Sequence, residues 1–454
     1  MASASCLASP MGPREELILE TFFSKLGQLA FDKAKEMMDK EKEAHKAFTT
    51  ASWGALVQCL SQFVMAEKMY LSLSFLEQKR FHAIGRSKDN LRTMHLLLMQ
   101  EYQRMSDSAP SSPTSRHSSP SASLPSPSLS SAEFEILLSH LCGQLYHFLA
   151  ARQKMVDFYE QVSNLGAHRH MNFEDLSTMV NHILQAHGKE FHHPLLSPLR
   201  SYFNWECDVL SHLLQAQILM SEWQFLPSLL QLHSAHSKLQ EWRNAANVKE
   251  SKKPFASGPK ISTMPALFLW LAKFKGFLVS KFSVYFYATL SKHSTPNDMK
   301  MWLSKAPEDY FSKIVTFQKR SDAYNISLVL DTNGLKNART GNGYHHPDRP
   351  VEIPQGMDSY PAILTYPNEQ PMGHWPNVLM LITPTCLAEK CSYFFDSKAL
   401  STYFIVKIDP RIYLVVIFET KKSEKDSYIN SFLTDFSAQL RGHWILGSLK
   451  SPLK

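Results

Sequence analysis

The sequence predicts an α plus α+β architecture: an N-terminal helical bundle followed by a small antiparallel-sheet α+β domain. Two observations carry that expectation. Apolar residues recur at about 3.6-residue spacing through the first two-thirds of the chain. After Asp322 they condense into short β-branched or aromatic runs bounded by Pro, Gly, Asn and Asp. Bulk composition agrees, because 44% of the 454 residues are hydrophobic, with 28 Phe and 8 Trp, enough to build packed cores.

The helical domain is expected over residues 14–321, after a disordered stretch at 1–13. Between Glu15 and Met38, Leu19, Phe22, Phe23, Leu26 and Leu29 fall on one stripe opposite Lys25, Lys33 and Lys35, predicting one long helix. Ser52–Phe81 and Ser87–Met105 predict two more, and helical spacing resumes over Ala132–Leu165 and Asn172–His187. Asn172 stands as an N-cap, with Glu174 and Asp175 placing negative charge in the first turn. Ser197 followed by Pro198 predicts another N-cap with Pro at the first helical position. Met264–Leu290 is the most apolar stretch and predicts a central helix, and Pro307–Arg320 supplies one more.

Ser106–Ser131 is different in kind. Its 26 residues hold 13 Ser and 5 Pro with no aromatic, too little apolar surface to offset ordering entropy, so a disordered linker is expected inside the helical domain. Ser112, Ser119 and Ser126 each precede Pro and are candidate proline-directed phosphosites, with a plain spacer as the alternative.

The α+β domain is expected over 322–442 and a tail over 443–454. Strands are predicted at Asn325–Leu330, Ala362–Tyr366, Val378–Thr383, Thr402–Ile408 and Ile412–Glu419, with Asp409-Pro410 as a hairpin turn. Asp331–Gly356 reads as a surface loop and Ser423–Arg441 as a closing amphipathic helix. Helix, strands and helix in this order resemble roadblock-like or profilin-like domains, by analogy alone.

Composition excludes several function classes. A net charge of +7 spread over the chain does not predict nucleic-acid binding. Six dispersed cysteines make no disulfide framework and fit a reducing compartment. The N-terminus lacks a signal-peptide core, Ala2 stands where myristoylation needs Gly, and the C-terminus is no prenyl box. No integral membrane span is expected, because Lys273, Lys275 and Lys281 interrupt Met264–Leu290 and a central Lys in a bilayer costs roughly 2.5–3.5 kcal/mol. Those lysines are expected to snorkel from a buried helix.

The candidates for chemistry are few. Phe191-His192-His193-Pro194 and Tyr344-His345-His346-Pro347 are near-identical tetrapeptides. A shared metal site would need both loops to converge with a further ligand; the alternative is loop histidines that bond backbone. His233 and His236 lie three apart on a helix without an HExxH motif. Asp331-Thr332-Asn333-Gly334 begins like a cation loop, but Leu335 and Lys336 follow where oxygens are needed, so a turn is expected. Cys386 and Cys391 are close in sequence without a CxxC spacing. No GxSxG, phosphate loop or paired core acids appear, so no catalytic, cofactor-binding or metal residues are assigned.

Longer segments carry a resemblance. LETFFSKLGQLAFDKAK (19–35), FHHPLLSPL (191–199), SEWQFLPSLLQLHSAHSKL (221–239), GYHHP (343–347), HWPNV (374–378) and VVIFETKKS (415–423) resemble the KICSTOR subunit 2 family, in order and along nearly the whole chain. Met1–Pro13 and the Ser/Pro linker depart from the family pattern, so no regulation carries over to them. The resemblance implies a non-enzymatic scaffold with no cofactor, peripheral on the cytosolic face of lysosomes. Its implied partners are kaptin, an FG-GAP-repeat protein, the seizure-threshold protein and the GATOR complex. The implied role is to restrain target-of-rapamycin signalling when amino acids or glucose run short. Direct docking of Rag GTPases by a roadblock-like sheet, and a cryptic metal-dependent hydrolase, are the alternatives. A scaffold needs apolar surface beyond its core, and Trp375, Pro376 and the run Tyr413–Phe418 are the candidate interaction residues.

Overall fold

The computed structural model describes residues 13–44, 51–76, 90–108, 131–165, 172–247, 264–335, 354–367, 369–382 and 391–450. Its helical part comprises α1 (Pro13–Gly27), α2 (Phe31–Ala44), α3 (Ala51–Leu71), α4 (Leu91–Asp107), α5 (Ser131–Leu165) and α6 (Phe173–His187). It continues with α7 (Ser197–Ser221), α8 (Phe225–Asn247), α9 (Ala266–Tyr285), α10 (Tyr287–Lys292), α11 (Pro296–Lys305) and α12 (Tyr310–Ser321).

The stripe from Glu15 to Met38 folds as two helices rather than one. Leu29 adopts φ 57°, its N–H bonds to the Leu26 carbonyl, and Ala30 N–H reaches back to Lys25 O at 3.0 Å. This is a Schellman ending with Leu in the left-handed position. It turns the chain where Gly27 meets Pro198, a contact a Cβ would close to 2.9 Å. Periodicity alone misses such a break because α1 and α2 keep the same stripe in phase.

Capping explains other boundaries. Asn172 Oδ1 accepts from Glu174 N at 3.0 Å, as the sequence suggests. Ser197 does not cap α7: it is already helical (φ −49°, ψ −42°), because a 3-10 turn at Pro194–Leu196 runs straight into the helix. That turn is capped by His193 instead, whose Nδ1 accepts from Leu195 N at 3.2 Å.

The long apolar helix α9 touches α3, α7, α8, α12 and α15 (His443–Gly447). Its buried lysine does not snorkel. Lys281 is fully enclosed, with Nζ 2.7 Å from Asp409 Oδ2, and Tyr285 donates to the same carboxylate at 2.5 Å. The turn after Ile408 is thereby tied to the middle of the bundle.

The left-handed Asp322 (φ 57°) ends α12, and the strand period begins three residues later. The strands are β1 (Asn325–Leu330), β2 (Ala362–Tyr366), β3 (Ser392–Asp396), β4 (Ser401–Asp409) and β5 (Ile412–Phe418). They form one sheet in the order β2-β1-β5-β4-β3 with every neighbour antiparallel. Residue alternation divides its side chains between two cores. Ile326, Leu328, Leu414 and Val416 face α14 (Ser427–Arg441) and merge with the bundle core. Val329, Ile405, Val415 and Ile417 pack with Trp375, Val378 and Ile382 of α13 (Trp375–Ile382).

That helix corrects the strand expected at Val378–Thr383. A short apolar run does not distinguish strand from buried helix. Here Pro376 sits in the first helical turn, where a missing N–H costs nothing, and Val378 and Ile382 share the buried face four residues apart. The edge strand β3 went unpredicted because its five residues are only half-buried and show no apolar alternation.

The segment after Arg441, expected as a tail, folds back. Gly442 (φ 78°) lets α15 turn under α9, where a Cβ would stand 2.4 Å from the Phe277 ring. Ile445, Leu446 and Leu449 are buried, and Trp270 Nε1 donates to Ile445 O at 2.9 Å.

Candidate functional site

The sequence reading found no paired acids in the core, yet the helices assemble a buried charge cluster. Arg152 of α5 binds Glu67 of α3 with two hydrogen bonds, at 3.2 and 3.1 Å. Its Nη1 reaches Glu206 of α7 at 2.6 Å. Both Tyr70 and Tyr159 donate to the other Glu206 oxygen, at 2.5 and 2.8 Å. The guanidinium lies 4.2 Å from the Tyr70 ring centroid. Two carboxylates therefore share one cation away from water. Burial pushes Glu67 above the ordinary carboxylate range, with Arg152 opposing the rise. His95 of α4 is buried nearby, and burial with the adjacent Arg152 and Arg92 charges lowers it to about 3, so the imidazole is neutral.

This cluster has the residue types of a catalytic site without the access. Arg152 and Glu206 are 0% exposed, and every carboxylate oxygen already accepts a hydrogen bond from within the cluster. What it does is fix the register of α3, α5 and α7, since a displaced helix would strand a buried charge. Its sequence signal was three isolated charges on otherwise apolar helical faces.

The histidines flagged by sequence are used locally. His192 donates its backbone N–H to Gln144 at 2.7 Å, and the rings of His192 and His193 lie 6.1 and 5.6 Å from that of His140. Burial, with His140 and His192 beside it, lowers His193 to about 4. Among the described residues no group of three or more His, Cys, Asp or Glu is placed to hold a metal ion. His345, His346, Cys386 and the serines Ser112, Ser119 and Ser126 lie outside the described residues. Asp331 closes a turn, accepting from Asn333 N at 3.0 Å. Burial pushes the thiols of Cys59 and Cys142 up to about 11 and about 12, so they pack as apolar groups.

The expected interaction residues are mostly core. β5 is the central strand, not an edge, so Tyr413 and Phe418 are 6% and 0% exposed. Trp375 is fully buried and donates to Tyr360 O at 3.0 Å; of this set Pro376 alone is exposed. Apolar surface lies elsewhere. Between α12 and α14 runs an open groove of about 400 Å³ floored by Phe317, Phe432 and Phe436, with Phe317 and Phe432 stacked at 3.8 Å. On α8, Leu226, Leu229 and Leu230 are 59%, 40% and 55% exposed. Their i, i+3, i+4 spacing puts them on one face.

A protein-family model described as "KICSTOR complex C12orf66 like" matches residues 8–454. The chain belongs to this family. KICSTOR subunit 2 of Xenopus laevis is 43% identical over 448 residues, covering 97% of each chain. KICSTOR subunit 2 of Danio rerio is 40% identical over 451 residues, again covering 97% of each. The family match begins at residue 8 and spans the Ser/Pro stretch. No helix among the described residues of this KICSTOR-family chain is long and apolar enough to cross a membrane.

Proposed function

We propose that the chain is a non-catalytic scaffold subunit of a KICSTOR complex. In that role it binds kaptin, the FG-GAP-repeat protein and the seizure-threshold protein. The assembly recruits the GATOR complex to the cytosolic face of lysosomes and restrains target-of-rapamycin signalling during amino acid and glucose deprivation. The family match over residues 8–454 carries this reading. The chemistry of the fold supports it, because Arg152, Glu67, Glu206, Tyr70 and Tyr159 bind one another in the core, out of reach of solvent. A scaffold acts by raising the local concentration of its partners, so its effect resides in linked surfaces and not in a reactive side chain.

Rescue in starved cells lacking the protein tests the non-catalytic part. A chain carrying His192→Asn, His193→Asn, His345→Asn and His346→Asn is expected to restore signalling shut-off as well as the unmodified chain. Asn at 193 keeps an acceptor for the 3-10 turn. Failure of this variant with folding and partner binding intact would overturn the scaffold reading and require chemistry at those loops.

A further inference from the structure

A scaffold needs surface that folding has left free, and α8 presents it in a particular form. Leu226, Leu229 and Leu230 project from a helix whose other side is firmly packed: Ser228, Leu232, Ala235 and Leu239 are buried. The Phe225 ring stacks 5.4 Å from Phe282 of α9, so the exposed leucines sit on a seated turn, not a fraying end. Val279 of α9 is also 36% exposed.

Farther along the same two helices the surface becomes cationic. Lys275 Nζ lies 3.2 Å from His236 Nδ1, and the Arg243 guanidinium stands 5.6 Å from the Phe268 ring centroid. Among the described residues no carboxylate answers them. α9 contains no Asp or Glu, and the one acid of α8, Glu241, is engaged by Lys238 at 3.1 Å and Trp205 at 3.0 Å. Among the described residues, His236, Arg243 and Lys275 have no ion-pair partner. Burial and the neighbouring Arg243 hold Lys275 below its ordinary value, and burial with Lys275, His233 and Arg243 does the same to His236. Cations so crowded are relieved by an incoming negative charge.

We propose that the α8–α9 face docks an acidic amphipathic segment of a partner subunit, with apolar side chains on Leu226, Leu229 and Leu230 and carboxylates on Arg243 and Lys275. The partner's existence rests on the scaffold reading; the choice of face and of its chemistry rests on the geometry. A second copy of the chain fits poorly, because an isologous contact through this face supplies no free carboxylate to Arg243 and Lys275: α9 has no acid and Glu241 of α8 is engaged. An anionic membrane would meet the same Arg243 and Lys275 charges, and vesicle sedimentation in the test below separates it from a peptide.

The test uses the full-length chain in cells, with Leu230 replaced by the photocrosslinker benzoylphenylalanine and the crosslinked peptide identified by mass spectrometry. The expected peptide comes from another KICSTOR subunit and carries Asp or Glu among apolar residues at helical spacing. Arg243→Glu combined with Lys275→Glu is expected to lower the crosslink yield about tenfold or more, as is Leu226→Ser with Leu229→Ser. All four side chains reach the surface, so both variants should keep the thermal midpoint of the unmodified chain. A crosslink to a basic or uncharged segment, or to a second copy, overturns the proposal. So does sedimentation of the unmodified chain with phosphatidylserine vesicles that is lost in these variants. Absence of any crosslink while KICSTOR subunits still co-purify overturns the docking face and leaves the scaffold reading standing. If no subunit co-purifies with the unmodified chain, both fail.

Discussion

Arg152→Met lowers the unfolding free energy by about 3–5 kcal/mol at neutral pH, because it leaves Glu67 and Glu206 buried together without a cation. The sign of its pH dependence follows from Glu67. Burial already raises this carboxyl in the folded protein, and Arg152 is the charge that opposes the rise. Without Arg152 the folded-state value climbs further above the unfolded one. Between those two values the folded state binds more protons, so stability increases as pH falls through that window. The deficit of the variant relative to the unmodified protein is therefore largest at neutral pH and shrinks on acidification toward the ordinary carboxylate value. Urea denaturation of both proteins across that range measures it. A deficit that is small at neutral pH, or that grows on acidification, contradicts the cluster described here. Adding Glu67→Gln to Arg152→Met is expected to recover part of the loss, since one of the two stranded charges is then removed.

Asp409→Ala is expected to have an effect of the same size, about 3–5 kcal/mol, for the opposite charge. It leaves the Lys281 ammonium enclosed inside α9 with no carboxylate, and it removes the acceptor of the Tyr285 hydroxyl. Lys281→Met in the same chain should restore most of the stability, because an apolar pair in a buried site is often close to neutral relative to the ion pair it replaces. Calorimetric melting of the single and double variants separates the two contributions. If Asp409→Ala melts like the unmodified protein, the tie between the β4–β5 turn and the bundle carries no weight.

These two interactions mark where sequence reading stops. The ends of β1 and β2, the Asn172 cap and the Asp409-Pro410 turn were legible because each depends on neighbours in the chain. Glu67 and Glu206 are 85 and 54 residues from Arg152, and no local spacing announces a partner at such a distance. Lys281 reads as a lysine snorkelling from a buried helix until the sheet supplies Asp409. The α13 segment was ambiguous for another reason: eight residues are too few for a period of 3.6 to separate from a period of 2. Leucines were the last difficulty. Leu226, Leu229 and Leu230 are exposed while Leu232 and Leu239 on the same helix are core, and residue type alone does not distinguish them. The candidate interface was therefore sought at Trp375 and Tyr413–Phe418, which the sheet order turns inward. The family resemblance was legible throughout, because it rests on ordered segments spanning the chain and not on any single contact.

The central claim is that this chain works by joining other subunits. Affinity purification of the tagged full-length chain from cells lacking the untagged protein, followed by size-exclusion chromatography and mass spectrometry of each fraction, tests it most directly. The account predicts co-elution with the other KICSTOR subunits in a constant ratio across the peak. A folded chain that elutes alone, with those subunits assembled in a separate fraction without it, would contradict the account.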